Sequence, residues 1–210
     1  MTRRLKDFLK GGFYTLVSLI LLVVTKALFG LRVRGREIVE RGRGYIAVAR
    51  HRSYWDIPLL AVAFGVRNRI HFIARRGLMK NPIFNPLIRL YATAIDRENF
   101  TKSDFRRMLE SIQREPLVGI FPEGTTRHAV DAKAGAIHFA QLTGKELLPV
   151  RIAAEGPYPP RYPFRFPRIT VSIGRPFSVA ELEADVIGAG SRAERYRILS
   201  ERLMQRVDTA

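Results

Sequence analysis

Residues 45–60 read YIAVARHRSYWDIPLL, and they indicate both a fold class and a candidate reaction centre. The stretch begins with an unbroken apolar run at 45–49, which is typical of a buried β-strand. A short basic and polar segment follows, and apolar residues resume at 57–60, where a helix is expected. A buried strand followed by a loop and a helix is the repeating unit of α/β domains, so the sequence predicts that class.

Within this stretch, His51 and Asp56 lie five residues apart. On a regular helix, five residues turn a side chain by roughly 140°, so the two side chains could not meet there. They can meet if His51 lies in the loop after the strand and Asp56 lies in the first turn of the helix. An aspartate that accepts a hydrogen bond from one imidazole nitrogen leaves the other nitrogen free as a general base. The two residues are therefore a candidate catalytic pair.

The same stretch also matches a structural pattern. Ser53 and Asp56 lie three residues apart, directly before the apolar residues, as in the capping box that closes the start of a helix. In that interpretation Asp56 only stabilises the helix. The spacing alone favours this structural role, so a catalytic role needs support from a second motif.

Outside this stretch, short apolar strands alternate with helical segments, which again indicates an α/β domain. The predicted strands are 31–35, 45–49, 69–74, 92–95, 116–121, 146–152 and 168–173. The predicted helices are 56–64, 82–91, 102–114, 132–142 and 193–207. The segment 156–168 holds five prolines and is predicted to be a loop, which either contacts lipid headgroups or forms an ordinary surface.

Composition limits the classes of protein and of chemistry. The chain has 210 residues, of which 47% are hydrophobic, so it can form one sizeable core. It has no cysteine, which excludes disulfides, thiol nucleophiles and cysteine-based zinc sites. The formal net charge of +17 suits an anionic partner, which can be a nucleic acid, an anionic bilayer surface or a phosphorylated small molecule.

The amino-terminal segment favours a membrane partner. Residues 11–25 carry no charge and are rich in leucine, valine and isoleucine. As a helix they extend about 22 Å, less than a hydrocarbon core of roughly 30 Å, although extension to Leu31 would just span it. Basic residues stand on both sides of the segment, so a spanning helix would place one basic group outside, against the positive-inside tendency.

We therefore expect residues 1–30 to form a helix that lies in one leaflet, with its basic residues at the cytoplasmic surface of the cell membrane. Residues 31–210 are then the folded domain. A spanning helix and a helix buried in a soluble protein are the alternatives that the sequence leaves open.

A second unusual stretch, Phe121-Pro122-Glu123-Gly124-Thr125, follows a predicted strand about seventy residues after His51. With an H-x4-D motif and an F-P-E-G-T motif in this order, the chain resembles the glycerolipid acyltransferases that acylate lysophosphatidic acid. The resemblance covers residues 45 to about 152. It implies a central mixed β-sheet flanked by helices, with residues 31–210 as the catalytic domain.

The resemblance also implies a role for each residue of the motifs. His51 is the general base and Asp56 orients it. The chain has neither a cysteine nor a G-x-S-x-G nucleophile elbow, so the acceptor hydroxyl is expected to attack the acyl donor directly. The residues implied in binding the acceptor and its phosphate are Arg97, Glu123, Gly124, Thr125, Arg75, Arg127 and Lys133. Gly124 allows backbone amides to approach an oxyanion or a phosphate.

Two positions depart from the family pattern. Arg50 precedes the histidine where the family commonly has asparagine. Thr126 follows the F-P-E-G-T motif where the family commonly has arginine, and Arg127 comes one position later.

The sequence thus predicts a membrane-associated enzyme that moves a fatty acyl group from acyl-CoA or acyl-carrier protein to lysophosphatidic acid, giving phosphatidic acid. Anionic membrane lipids are its expected partners, and no metal, cofactor or nucleic acid is predicted. Within the same fold, another lyso-lipid such as lyso-ornithine lipid, or glycerol 3-phosphate, stays open as the acceptor. A basic nucleic-acid-binding protein and a non-catalytic membrane scaffold are the alternatives from other classes.

Overall fold

A computed structural model describes residues 3–96, 98–123, 134–161, 165–184 and 191–210. The strands are β1 Arg32–Arg34, β2 Tyr45–Val48, β3 His71–Arg75, β4 Ala92–Ile95, β5 Leu117–Ile120, β6 Glu146–Glu155 and β7 Arg168–Ile173. The α-helices are α1 Arg3–Phe29, α2 Asp56–Phe64, α3 Phe84–Tyr91, α4 Lys102–Arg114, α5 Gly135–Thr143, α6 Val179–Glu183 and α7 Arg192–Thr209. Two short 3-10 helices lie at Arg36–Ile38 and Arg76–Lys80.

The seven strands form one mixed sheet in the order β1-β7-β6-β2-β5-β3-β4. The central strand β2 is parallel to both of its neighbours, β5 and β6, and β3 is parallel to β5 and β4. Only the β6–β7 pair is antiparallel, and β1 is parallel to β7. The carboxyl ends of β2 to β6 therefore meet at one edge, which is where open α/β sheets hold their ligands. The predicted α/β fold with a mixed sheet is confirmed.

Helices cover both faces of β2, which explains its unbroken apolar run. Ala47 packs into a core on one face with α2, whereas Ile46 and Val48 pack into a core on the other face with α4, α5 and α7. This alternation follows from the two-residue period of a strand. On the neighbouring strand β5, a Cβ at Gly119 would lie 2.8 Å from the ring of Phe72, so only glycine allows this close packing.

The helix α1 packs along the domain on one side and leaves apolar side chains exposed on the other. Tyr14 and Phe29 are buried, and the Tyr14 hydroxyl accepts a hydrogen bond from the backbone N–H of Ile70. The Tyr91 hydroxyl donates to the carbonyl of Lys10 at 2.6 Å. The exposed side of the helix carries Phe8, Leu9, Leu16, Leu19, Ile20 and Val23.

The apolar part of α1, Phe8–Phe29, has a mean hydropathy of 2.0 and is long enough to cross a membrane. Length and composition alone do not separate a membrane helix from a core helix or a signal sequence. The structure adds that α1 is neither fully buried nor detached from the domain. At its carboxyl end, the Phe29 ring packs edge-on against Trp55, at a centroid distance of 4.9 Å, and so reaches the residue before Asp56.

The predicted strands and helices are found in the structure, and their first and last residues differ by a few positions in some elements. Strand β6 continues to Glu155, three residues beyond its predicted end, because it pairs with β7 along 150–155. The predicted start of the helix at 132–142 lies partly outside the described residues, and α5 is described from Gly135.

Candidate active site

The loops that follow β2 and β5 meet at the carboxyl edge of the sheet. The two strands are adjacent and parallel, and their last residues, Val48 and Ile120, are register partners. His51 lies in the loop after β2, and Glu123 lies in the loop after β5. Asp56 is the first residue of α2. The sheet therefore brings the H-x4-D motif and the start of the F-P-E-G-T motif together.

The carboxylate of Asp56 is fully buried and accepts four hydrogen bonds. Its Oδ2 atom lies 3.0 Å from Nδ1 of His51, and it also accepts from the backbone N–H groups of Arg52 and Ser53 at 2.7 and 2.8 Å. Its Oδ1 atom accepts from the hydroxyl of Tyr158. A buried carboxylate needs such donors because burial removes the hydrogen bonds that water would make.

The Asp56 contact determines which nitrogen of His51 carries the proton. An ionised carboxylate only accepts hydrogen bonds, so the contact requires the proton on Nδ1 and leaves a lone pair on Nε2. Within the described part of the chain, no group is hydrogen-bonded to Nε2. The His51 side chain is 12% exposed. The imidazole is thus oriented as a general base that a substrate hydroxyl can approach.

Asp56 makes both the contact expected of a catalytic partner of His51 and one expected of a helix cap. Its Oδ2 atom accepts from the backbone N–H of Ser53, as one half of a capping box would require. The other half is missing, because Ser53 Oγ accepts from the backbone N–H of Trp55 rather than that of Asp56. The same oxygen atom that closes the start of the helix also contacts His51. The interpretation in which Asp56 only caps a helix is therefore incomplete.

A stack of aromatic rings packs against one face of the imidazole. The His51 ring lies on the Phe121 ring, with a centroid distance of 4.3 Å and an interplanar angle of 18°. Phe121 in turn stacks on Phe72 at 6.3 Å. The first residue of the F-P-E-G-T motif therefore positions the histidine of the other motif.

Glu123 holds the backbone of the histidine loop. Its Oε2 atom accepts from the backbone N–H of His51 at 2.9 Å, and its Oε1 atom accepts from Arg50 at 2.7 Å. The guanidinium of Arg50 also donates two hydrogen bonds to the carboxylate of Asp208, both at 2.7 Å. The hydrogen bond to Asp208 is the largest cause that raises the pKa of Arg50, and the same bond lowers the pKa of Asp208. Arg50, which departs from the family pattern, thus ties the end of α7 to this loop.

The other predicted binding residues have different outcomes. Arg75 ends β3 at the carboxyl edge, where its exposed guanidinium pairs with Glu98. Its role in binding phosphate stays a prediction. The remaining predicted residues lie outside the described residues and also stay predictions: Arg97, Gly124, Thr125, Arg127 and Lys133.

Sequence reasoning missed Tyr158 and Asp208 as parts of the site. Tyr158 lies in the proline-rich connection between β6 and β7, which was expected to face lipid or solvent. Burial, followed by the negative charge of Asp56, raises the pKa of the Tyr158 hydroxyl well above its usual value. Tyr158 is 102 positions from Asp56, and Asp208 is 158 positions from Arg50, so no local pattern could have found them.

Two other histidines have structural surroundings. His71 is buried in β3 and lies 2.9 Å from the Thr93 hydroxyl, and burial lowers its pKa to about 4. His138 on α5 lies among the rings of Phe105 and Tyr196, with centroid distances of 6.0 and 6.4 Å. Among the described residues, no group of three or more His, Asp or Glu side chains could hold a metal ion.

Comparisons with known proteins identify the family of this chain. A family model described as "Acyltransferase" matches residues 30–153, a range that contains both motifs. The 1-acyl-sn-glycerol-3-phosphate acyltransferase of Bacillus subtilis (strain 168) is 29% identical over 180 residues, which are 85% of this chain and 86% of that protein. The protein of the same description from Streptococcus pneumoniae (strain ATCC BAA-255 / R6) is 30% identical over 149 residues, which are 70% of this chain and 55% of that protein.

A solved structure has the same fold. The crystal structure of the 1-acyl-sn-glycerophosphate (LPA) acyltransferase PlsC from Thermotoga maritima matches with a TM-score of 0.73 and 23% sequence identity. The match covers 100% of this chain and 83% of that chain. At this identity the likeness supports the fold. The chemistry is inferred from the residues at the site.

Proposed function

Because this chain belongs to the acyltransferase family, we propose that it transfers a fatty acyl group to the free hydroxyl of lysophosphatidic acid and so forms phosphatidic acid. Two curated relatives are described as 1-acyl-sn-glycerol-3-phosphate acyltransferases. The observation that carries the proposal is the contact between Nδ1 of His51 and Oδ2 of Asp56. It supplies the base that an attack by an alcohol on a thioester requires.

The proposed reaction is a single displacement at the acyl carbon, without a covalent acyl-enzyme. Nε2 of His51 takes the proton of the acceptor hydroxyl while the hydroxyl oxygen attacks the thioester carbonyl. The new C–O bond forms, the C–S bond breaks, and the thiolate leaves with the proton that His51 returns. The products are an ester and a free thiol. Asp56 stabilises the imidazolium that exists between the two proton transfers.

The acceptor phosphate and the developing oxyanion need donors near His51. We propose Arg97, Arg127 and Lys133 for the phosphate, and the backbone around Gly124 and Thr125 for the oxyanion or phosphate. Support for Arg97 comes from β4, which ends at Ile95 on the same edge of the sheet as the histidine loop.

Two further residues have proposed roles at this edge. Support for Arg75 comes from its place at the end of β3, which is parallel to both of its neighbouring strands. Glu123 already holds Arg50 and the backbone of His51, so its proposed role is to keep the loop in place beside the acceptor.

A lipid acceptor would reach this site from a membrane. We propose that α1 lies in one leaflet at the cytoplasmic face, with residues 1–30 as the anchor and residues 31–210 as the catalytic domain. The exposed apolar side of α1 and the net charge of +17 support binding to an anionic leaflet. The contact of Phe29 with Trp55 places the end of the helix next to the catalytic loop.

The acyl donor is proposed to be a thioester of coenzyme A or of acyl-carrier protein. Both donors are anionic, so the basic surface of the protein suits either. Parallel assays with each donor, on the same acceptor, would distinguish them.

The test compares the wild type with His51→Ala in vesicles that contain lysophosphatidic acid, with acyl-CoA as the donor and mass spectrometry to detect phosphatidic acid. We expect kcat to fall by roughly 10²–10⁴-fold because the general base is lost. His138→Ala is the matched control, since His138 lies among aromatic rings on α5 and should keep its activity. Circular dichroism and vesicle sedimentation check folding and membrane binding.

Wild-type turnover in His51→Ala would overturn the mechanism. The same assay with lyso-ornithine lipid, another lysophospholipid and glycerol 3-phosphate tests the acceptor. A higher kcat/KM for one of these than for lysophosphatidic acid would replace the proposed acceptor and leave the role of His51 intact.

A further inference from the structure

Tyr158 contacts the catalytic pair from the side opposite His51. Its hydroxyl donates to Oδ1 of Asp56, whereas the imidazole and two backbone N–H groups share Oδ2. Tyr158 thus supplies a side-chain donor to the carboxylate oxygen that His51 does not contact. It comes from the connection between β6 and β7, which is remote in sequence from both catalytic motifs.

The surroundings of Tyr158 keep its hydroxyl protonated. The residue is half-buried and packs against the core cluster that contains α2. Burial, Asp56 and the hydrogen bond to Asp56 all raise the pKa of the phenol, while Ser53 and Arg52 oppose this shift weakly. The hydroxyl is therefore a neutral donor at any pH at which the enzyme works, and it does not take part in acid–base chemistry itself.

We propose that Tyr158 is a positioning residue of the acyl transfer. Its hydroxyl keeps the Asp56 carboxylate turned so that Oδ2 faces Nδ1 of His51, and it withdraws part of the negative charge that Asp56 presents to the imidazole. The inference depends on the proposed function, in which His51 is the general base.

Loss of the hydroxyl has two expected effects. The carboxylate loses its donor on Oδ1 and can rotate, so fewer molecules hold the imidazole in the reactive orientation. The carboxylate also keeps more negative charge, which stabilises the imidazolium relative to the neutral imidazole. Among the described residues, the charged groups with contacts to the loop include Arg50, Arg52, Glu123 and Asp208, and removal of a neutral hydroxyl leaves their charges unchanged.

The test uses Tyr158→Phe in the full-length protein, because phenylalanine keeps the ring and removes only the hydroxyl. Turnover is measured as phosphatidic acid formation in vesicles that contain lysophosphatidic acid, over the pH range in which imidazole titrates. We expect kcat to fall about ten-fold with KM unchanged, as for loss of a hydrogen bond to a charged group. We also expect the acidic limb of the kcat profile to move to higher pH.

Tyr196→Phe is the matched control, because it removes a hydroxyl that donates to Gln141 between α5 and α7 at 2.8 Å. We expect its kcat and pH profile to match the wild type. A purely structural role for Tyr158 would lower the melting temperature and leave the acidic limb in place, and that result would overturn the proposal. Wild-type kcat and pH profile in Tyr158→Phe would also overturn it.

Incorporation of 3-fluorotyrosine at position 158 covers the case in which Tyr158→Phe fails to fold. The fluorine makes the phenol a stronger hydrogen-bond donor and keeps its shape, so the acidic limb should move to lower pH, opposite to the direction expected for phenylalanine. An unchanged limb would contradict the proposal. Loss of activity in His51→Ala with wild-type behaviour at position 158 would refute only the role of Tyr158, whereas an active His51→Ala would refute the proposed function.

Discussion

The first turns of α2 and α4 each contain a buried aspartate, yet the two carboxylates have different neighbours. Asp104 is 2% exposed and completes a capping box with Thr101, and its other oxygen pairs with Arg76 and Arg107. Asp56 is fully buried, and its side-chain donors are the imidazole of His51 and the phenol of Tyr158.

The difference lies in what the donors can do. Arginine is always charged, so the pairs at Asp104 are permanent and only stabilise the start of α4. Histidine is a side chain that commonly transfers protons in catalysis, and the His51 imidazole at Asp56 lies at the carboxyl edge of the sheet. An aspartate at the start of a helix therefore indicates a catalytic role only when a titratable group is among its donors.

The largest expected effect is the difference in kcat between Asp56→Asn and Asp104→Asn. In Asp56→Asn, the amide oxygen is expected to replace Oδ2 as the acceptor for the backbone N–H groups of Arg52 and Ser53, and the side chain no longer carries the negative charge that stabilises the imidazolium of His51. We therefore expect kcat to fall by roughly 10²–10⁴-fold. Asp104→Asn should keep its kcat and lose a few degrees of melting temperature, because the cap and the pairs with Arg76 and Arg107 are weakened. Phosphatidic acid formation and thermal unfolding measure the two effects. An equal loss of kcat in both variants would remove the distinction.

A smaller effect concerns acid stability. The hydrogen bond from the Thr101 hydroxyl is the main cause that lowers the pKa of Asp104 from 3.8 to about 2. The folded state thus binds this proton less readily than the unfolded state, and the stabilising contribution is complete above pH 3.8 and is lost as the pH falls towards about 2. We expect the difference in unfolding free energy between the wild type and Asp104→Asn to be constant above this window and to shrink within it.

Urea unfolding at a series of pH values measures this difference. The subtraction cancels the other carboxyl groups with lowered pKa values, Glu181 and Asp208, because both proteins contain them. A difference that stayed constant through the window would contradict a structural ion pair at Asp104.

The smallest effect tests the support that the histidine loop receives from α7. Asp208→Asn removes the charge that Arg50 contacts from α7, and Asp208 is 47% exposed, so the loss of stability should be below about 1 kcal/mol. We expect kcat to fall a few-fold, because Arg50 also holds Glu123. Glu201→Gln is the matched control, since it breaks an exposed pair with Arg197 on the same helix. A larger loss of kcat in Glu201→Gln would contradict the proposed support.

Much of the fold could be predicted because its signals are local. The amphipathic spacing of α4 and the alternating apolar residues of β7 gave bounds that match the structure, since burial of one face imposes a period within the element itself. The bounds of β6 were wrong at its carboxyl end, because pairing with β7 extends it and pairing is not encoded in one strand.

The helix α1 likewise has one property that the sequence predicts and another that only the tertiary structure decides. Its composition predicted a helix that avoids water, and α1 is a continuous helix to Phe29. Which side packs on the domain depends on Tyr14, Tyr91 and Ile70, which lie on α1, on α3 and directly before β3. No hydropathy pattern within residues 1–30 specifies those partners.

Which contacts of the candidate site could be predicted depends on how far apart the residues lie in the sequence. The contact of His51 with Asp56 follows from a strand, a loop and a helix start within a few residues, and the five-residue spacing together with the F-P-E-G-T motif predicted it. Tyr158 at Oδ1 and Asp208 on Arg50 are more than a hundred residues from their partners. Tyr158 follows β6, whose carboxyl end lies at the same edge as that of β2, whereas Asp208 reaches Arg50 from the end of α7, which packs against β6. The order of the strands and the packing of helices on them are properties of the whole core rather than of any local pattern.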